Sequence, residues 1–114
     1  MSKVEVSDRE FEVMVPLVVI GAGAAGMVAA LSANAGGVEV IVLERDPLPR
    51  GSTALSAGLI PAAGTRWQRA IGVEDTPEAF GADILHKADG EPDVDLVRLV
   101  TETVGPTLEW LAED

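Results

Sequence analysis

Three glycines and one glutamate are the residues whose types and spacing could do chemistry. Gly21-Ala22-Gly23-Ala24-Ala25-Gly26 spells G-x-G-x-x-G, and Glu44 comes about twenty residues later. The chemistry is capture of a diphosphate. A position without a side chain lets phosphate oxygens approach the main chain. A helix that begins there presents unpaired N–H groups and the positive end of its dipole. A carboxylate at the end of the next strand accepts hydrogen bonds from both hydroxyls of a ribose and repels a 2′-phosphate. Together these groups suit the ADP half of a dinucleotide.

Such residues work only at a joint between strand and helix, so their flanks must fold accordingly. Val13 to Ile20 reads as a first strand, with Pro16 near its start, where a missing donor is tolerable. The unbroken apolar run Leu17–Ile20 suits a strand buried on both faces. Gly21 allows the tight turn, Gly23 the approach of the ligand, and Gly26 the close packing of helix on sheet. Ala30 and Ala33 continue the small face at helical spacing, and Gly36-Gly37 ends the helix with a left-handed cap. Val38 to Leu43 is the second strand, and Glu44 lies at its carboxyl end. A glycine-rich turn in an ordinary α/β protein would leave Glu44 and the glycine spacing as coincidences.

The remainder divides into a loop and helices. Met1 to Phe11 reads as a frayed lead-in, and Arg45 to Gly51 as a loop with two prolines. Ser52 is expected to cap a short helical turn through Ser56, and Gly58 releases the chain. Leu59-Ile60-Pro61 is extended. Thr65 starts a short helix through Ala70, stopped by Gly72. Thr76-Pro77 opens a longer one, with Glu78 at its positive end, Phe80, Ile84, Leu85 and Ala88 on one face, and Gly90 after it. Asp93 caps the last helix, whose apolar stripe is Leu96, Val97, Val100 and Val104. Gly105-Pro106 is expected to break or kink it, with Thr107 to Ala112 restarting. The fold class is therefore α/β: a Rossmann-like βαβ unit over 13–44, a contact loop over 45–65 and a helical segment over 66–114. Two strands make an incomplete sheet.

With 114 residues, the chain is about one small domain. It is short for a whole dinucleotide enzyme, so residues 1–114 read as the N-terminal part of something larger. Acidic residues number 19 against 8 basic, for a net charge of −11, and no basic cluster offers a nucleic-acid face. There is no cysteine, which removes disulfides, thiolate metal sites and a cysteine nucleophile from this stretch. No metal-ligand spacing is found. No apolar run approaches the roughly 20 residues that span a bilayer. The N-terminus is charged and mostly acidic, unlike a signal peptide, and a cytoplasmic setting is the expectation.

A second segment narrows the ligand. Gly51-Ser52-Thr53-Ala54-Leu55-Ser56-Ala57-Gly58 comes soon after Glu44, where a plain NAD dehydrogenase leads straight into another crossover helix. A flavin needs more: hydroxyls and free N–H groups for its ribityl chain and pyrophosphate, and close backbone approach for its ring. Ser52 and Thr53 supply the first, and Gly58 permits the second.

Taken with Gly21–Gly26, Glu44 and Ala62-Ala63-Gly64-Thr65, this segment resembles the fumarate reductase and succinate dehydrogenase flavoprotein family, which also contains ketosteroid dehydrogenases. The resemblance covers about Val13 to Leu111. It implies FAD as cofactor, and hydride transfer between flavin N5 and a carbon–carbon bond activated by a carbonyl or carboxylate. It places Gly21, Ala22, Gly23, Ala24 and Ala25 along the pyrophosphate and Glu44 on the adenosine ribose, with Arg45 beside it. Ser52 and Thr53 would meet phosphate or ribityl oxygens, and Ser56, Ala57 and Gly58 would pass near the flavin ring. Many soluble members have Gly-Gly where this chain has Arg50-Gly51. Succinate dehydrogenases carry a flavin-linking histidine where this chain has Ser52, so noncovalent FAD is expected. The family's substrate-binding and proton-delivering residues come later than this stretch, so no catalytic residue is expected here. The substrate would be a small molecule held elsewhere.

Two other readings stand beside this one. An NAD-dependent dehydrogenase explains Gly21 to Glu44 but not Gly51 to Gly58. A non-catalytic piece would pair with a second copy through its unpaired sheet edge. Several residues have plainer roles: His86 on a solvated face, Trp67 and Trp110 as packing anchors, and Arg66 and Arg69 as balance for local acid. Glu102, Glu109, Glu113 and Asp114 read as surface, and Ser52 and Ser56 could serve as helix caps.

Overall fold

A computed structural model describes residues 8–49 and 51–113. Most of the lead-in, Arg50 and Asp114 lie outside the described residues. The elements in order are β1 (Leu17–Ile20), α1 (Ala24–Ala35), β2 (Val40–Leu43), a 3₁₀ turn (Ser52–Leu55), α2 (Arg66–Ala70), α3 (Pro77–Lys87) and α4 (Val94–Leu111). They form two compact units, Met1–Gly58 and Leu59–Asp114.

In the first unit β1 and β2 are parallel, in register from Leu17 opposite Val40 to Ile20 opposite Leu43. Because the strands end level, the segments leaving them emerge side by side. The Gly21 N–H donates to the Leu43 carbonyl at 2.7 Å, carrying the ladder one step past the strands. Gly21 makes this turn at φ +100°, a conformation other residues rarely adopt. Helix α1 then crosses back onto the pair. A Cβ on Gly26 would collide with the Gly21 carbonyl oxygen and stand 3.2 Å from Val19 Cγ1, so only glycine allows this approach. Ala30 is buried beneath the same face, and Gly37, at φ +77°, turns the chain out of the helix as expected.

Both strands are shorter than the sequence suggests. Val13–Val15 lie outside β1, which begins after the donor-less Pro16. Val38 is lost to β2 because its N–H donates to Ala33 at the helix end, 2.9 Å away. Nor is β1 buried on both faces: Val18 is 47% and Ile20 86% exposed. Among the described residues β1 has one strand neighbour and α1 covers one side, which leaves the rest of its apolar surface open.

In the second unit the caps agree with the sequence. Thr65 and Gln68 form a reciprocal capping box at α2, Thr76 accepts from the Ala79 N–H at α3, and Asp93 accepts from Asp95 and Leu96 at α4. Helix α4 differs from expectation in two ways. It runs unbroken through Pro106, and its inward residues are Val97, Thr101 and Gly105, while Leu96 and Val100 are largely exposed. Both differences come from close packing of small residues. A Cβ on Gly105 would stand 2.8 Å from the Ala63 carbonyl oxygen, and one on Gly81 of α3 would touch Thr101 and Val97. The small face of α4 is buried against α3 at Thr101 and against the Ala63 segment at Gly105, and that packing outweighs the hydrogen bond Pro106 cannot make. Trp67 is no packing anchor: it is 46% exposed, with the Arg66 guanidinium 4.8 Å above its ring. Glu109 is only 27% exposed and is not plain surface, since it pairs with Arg69 at 3.1 Å and accepts from the Arg66 N–H. His86 is exposed in the last turn of α3, as expected.

Candidate functional site

The glycine loop, Glu44 and the 3₁₀ turn come together at the carboxyl ends of β1 and β2. Level strand ends put Glu44 beside the turn out of β1, and its Oε2 accepts from the Ala22 N–H at 2.8 Å. Its Oε1 accepts from the Asp46 N–H at 3.1 Å. These two amides, Ala22 first, hold the carboxyl below the ordinary glutamate value against a small opposing effect of desolvation. Glu44 is therefore a charged acceptor at neutral pH, and each oxygen keeps a lone pair for a further donor. Arg45 lies beside it as expected, largely exposed to solvent and paired with Asp46 at 3.2 Å.

Helix α1 begins without a cap of its own. Gly23 is the N-cap residue and has no side chain to offer, and no acidic residue stands in the first turn. One acceptor is supplied from far along the chain: Thr53 Oγ1 accepts from the Ala24 N–H at 2.9 Å. The amides of Gly21, Ala22 and Ala24 are thus donated within the chain. Those of Ala25 and Gly26 meet no side chain among the described residues. A helix start with open donors and no competing acid in its first turn fits an anionic group, and the exposed Ala24 and Ala25 leave it accessible.

The GSTALSAG segment differs in detail from expectation. Ser52 does not cap the 3₁₀ turn; it is the first residue inside it, Gly51 is the N-cap, and no side chain caps the turn. Ser56 closes the turn, and its Oγ accepts from the Gly58 N–H at 3.1 Å, which fixes the small-residue bend where Gly58 has φ +76°. Ser52, Thr53, Ser56, Ala57 and Gly58 are all exposed, with the Thr53 and Ser56 hydroxyls accepting from the Ala24 and Gly58 amides. Sequence reasoning missed the roles of Thr53 as a distant cap and of the Asp46 amide as a second donor to Glu44. No local pattern marks Thr53, because its partner lies 29 residues away. In the second unit a groove of about 270 Å³ is lined by residues including Gly81, Leu85, Val97 and Thr101, and it contains none of these site residues.

A family model described as an FAD binding domain matches residues 17–114. The chain belongs to this FAD-binding-domain family. Urocanate reductase of Eggerthella lenta is 37% identical over 97 residues, which are 85% of this chain and 16% of that protein. The 3-oxosteroid 1-dehydrogenase of Mycobacterium tuberculosis is 45% identical over 83 residues, 73% of this chain and 14% of that protein. Among solved structures, the open conformation of a flavocytochrome c3 fumarate reductase superposes with a TM-score of 0.76 at 36% identity, covering 85% of this chain and 17% of that one. This FAD-binding domain is thus homologous to fumarate reductase and 3-oxosteroid dehydrogenase flavoproteins, and its βαβ unit with the helices after it matches part of their fold. It spans about a sixth of the length of these relatives.

Proposed function

We propose that this domain holds noncovalent FAD for an oxidoreductase acting on a carbon–carbon bond conjugated to a carbonyl or carboxylate. The observation that carries the reading is the juxtaposition of an open helix start at Ala25–Gly26 with a charged Glu44 carboxylate at the ends of two parallel strands. The helix start receives the diphosphate and Glu44 the adenosine ribose, while Ser52 and the Ser56–Gly58 bend supply hydroxyls and close backbone approach on the flavin side. When bound, FAD supplies the two-electron chemistry. The residues of this chain bind and orient it, and none of them is assigned to substrate. Fumarate, urocanate and 3-oxosteroids, the compounds in the names of its relatives, share a carbonyl or carboxylate next to the bond that is reduced or formed, which supports the substrate class. Residues 1–114 alone are expected to show no turnover.

The test is spectroscopic and then catalytic. Full-length protein should purify yellow, or gain flavin absorbance when given FAD but not NADH. A dye-coupled assay across unsaturated acids and 3-oxosteroids then assigns the class. Colourless protein that takes up no FAD would refute the reading.

A further inference from the structure

We infer that Glu109 is a positioning residue: it fixes the main chain at which the contact loop over 45–65 ends. The inference rests on the FAD reading, which puts the Ser56–Gly58 bend of that loop on the flavin side. It concerns the loop's anchor and adds no contact with the cofactor. One carboxylate oxygen carries the role. Glu109 Oε1 accepts from the Arg66 N–H, the first amide of α2, and from the Arg69 guanidinium at 3.1 Å. Arg69 donates in turn to the Gly64 carbonyl. A residue near the end of α4 thus grips the chain on both sides of Thr65, which is itself held by its capping box with Gln68 and is 6% exposed. Ala63 is buried, with its carbonyl oxygen against Gly105. From Ala63 to Arg66 every residue is tied to α2 or α4.

The stretch before this anchor has no such ties. Residues 59–62 lie in neither helix nor strand, and no hydrogen bond holds them among the described residues. Leu59 and Ile60 are largely exposed. The first fixed point after the Ser56–Gly58 bend is therefore the one Glu109 holds. A loop already fixed at its end has less freedom to lose when a ligand settles on it. The Arg69–Glu109 ion pair does not explain the arrangement, because Arg69 is mostly in solvent and exposed pairs contribute little. The working feature is the acceptor oxygen, whose two lone pairs take one main-chain and one side-chain donor.

The experiment uses full-length protein with Glu109→Ala, Glu109→Gln and, as a control, Asp93→Ala, which removes the cap of α4 away from the anchor. FAD affinity is read from quenching of flavin fluorescence, the flavin environment from its visible circular dichroism, and stability from thermal melting. Glu109→Ala should bind FAD about three- to tenfold more weakly and alter the flavin spectrum. Glu109→Gln, which keeps an acceptor oxygen, should recover most of both. Asp93→Ala should melt earlier with affinity and spectrum unchanged. Unchanged FAD binding and spectrum in Glu109→Ala overturns this inference alone. So does equal weakening in Glu109→Gln and Glu109→Ala, or an equal effect from Asp93→Ala, which would make the loss one of general stability. Absence of FAD binding in the unmodified protein overturns the parent reading and this one with it.

Discussion

Two glycines of the same motif, Gly23 at the N-cap of α1 and Gly26 in its first turn, should fail in opposite ways when given a methyl group. Gly23 has φ −78° and ψ 178°, which alanine adopts freely, and the nearest atom to its would-be Cβ is 3.5 Å away, an ordinary contact. Alanine is a poorer N-cap than glycine by several tenths of a kcal/mol, and it restricts the unfolded chain by about 0.4–1 kcal/mol, so the two effects nearly cancel. Gly23→Ala should leave stability within about 0.5 kcal/mol of the parent. The methyl would nonetheless stand over the helix start, where the diphosphate must pass. FAD affinity should fall at least tenfold, about 1.4 kcal/mol. Gly26→Ala reverses the pattern. Helix propensity favours alanine by about 1 kcal/mol. Against it, the methyl meets backbone at Gly21 and the Val19 side chain, neither of which can swing aside cheaply. Overpacking of this kind costs about 1–3 kcal/mol and sits at the upper end when the obstacle is main chain. Clash therefore outweighs propensity, and Gly26→Ala should lose about 1–2 kcal/mol in urea unfolding. A Gly23→Ala protein that binds FAD as tightly as its parent would refute the reasoning. So would a Gly26→Ala protein that is more stable.

Three further outcomes are expected. Glu44 has its folded pKa lowered by the Ala22 and Asp46 amides, so its contribution is complete above the unfolded-state value and is lost as pH falls through the folded one. FAD affinity should thus hold down through the ordinary glutamate range near pH ~4.3 and fall below it. Glu44→Gln, which keeps only one oxygen to accept an amide, should bind more weakly and lose that acid limb; an unchanged limb in a pH titration would tell against the assignment. Gly105→Ala puts a methyl 2.8 Å from the Ala63 carbonyl oxygen and should lower stability by about 1–2 kcal/mol despite better helix propensity, as read by thermal melting. Acid precipitation should release all flavin to the supernatant, since Ser52 cannot form the histidyl link; colour in the pellet would contradict this.

The local part of the fold was legible in the sequence. Gly26, Gly37, Thr65, Thr76 and Asp93 act on residues within a few positions, so composition and spacing reveal them. The fold class came from one strand–turn–helix–strand pattern. The illegible part was set by partners far along the chain. Gly81 and Gly105 look like helix defects until their neighbours Thr101 and Ala63 are seen across the packing. Pro106 reads as a break because the packing that sustains α4 has no local signature. Ser52 looked like a cap and Thr53 like a cofactor contact, and the part of Thr53 as a cap depends on a helix start 29 residues earlier. The expected burial of β1 presumed neighbours on both sides, and among the described residues it has one.

That open strand has a bearing on how the protein is made. Leu17–Ile20 displays β-branched side chains and, among the described residues, one edge of unpaired main-chain groups, and Phe11 and Met14 just before it are more than four-fifths exposed. Apolar segments of this kind with an open edge tend to associate with one another. Recombinant yield should therefore respond to chaperone co-expression and lower growth temperature more than to codon choice or promoter strength.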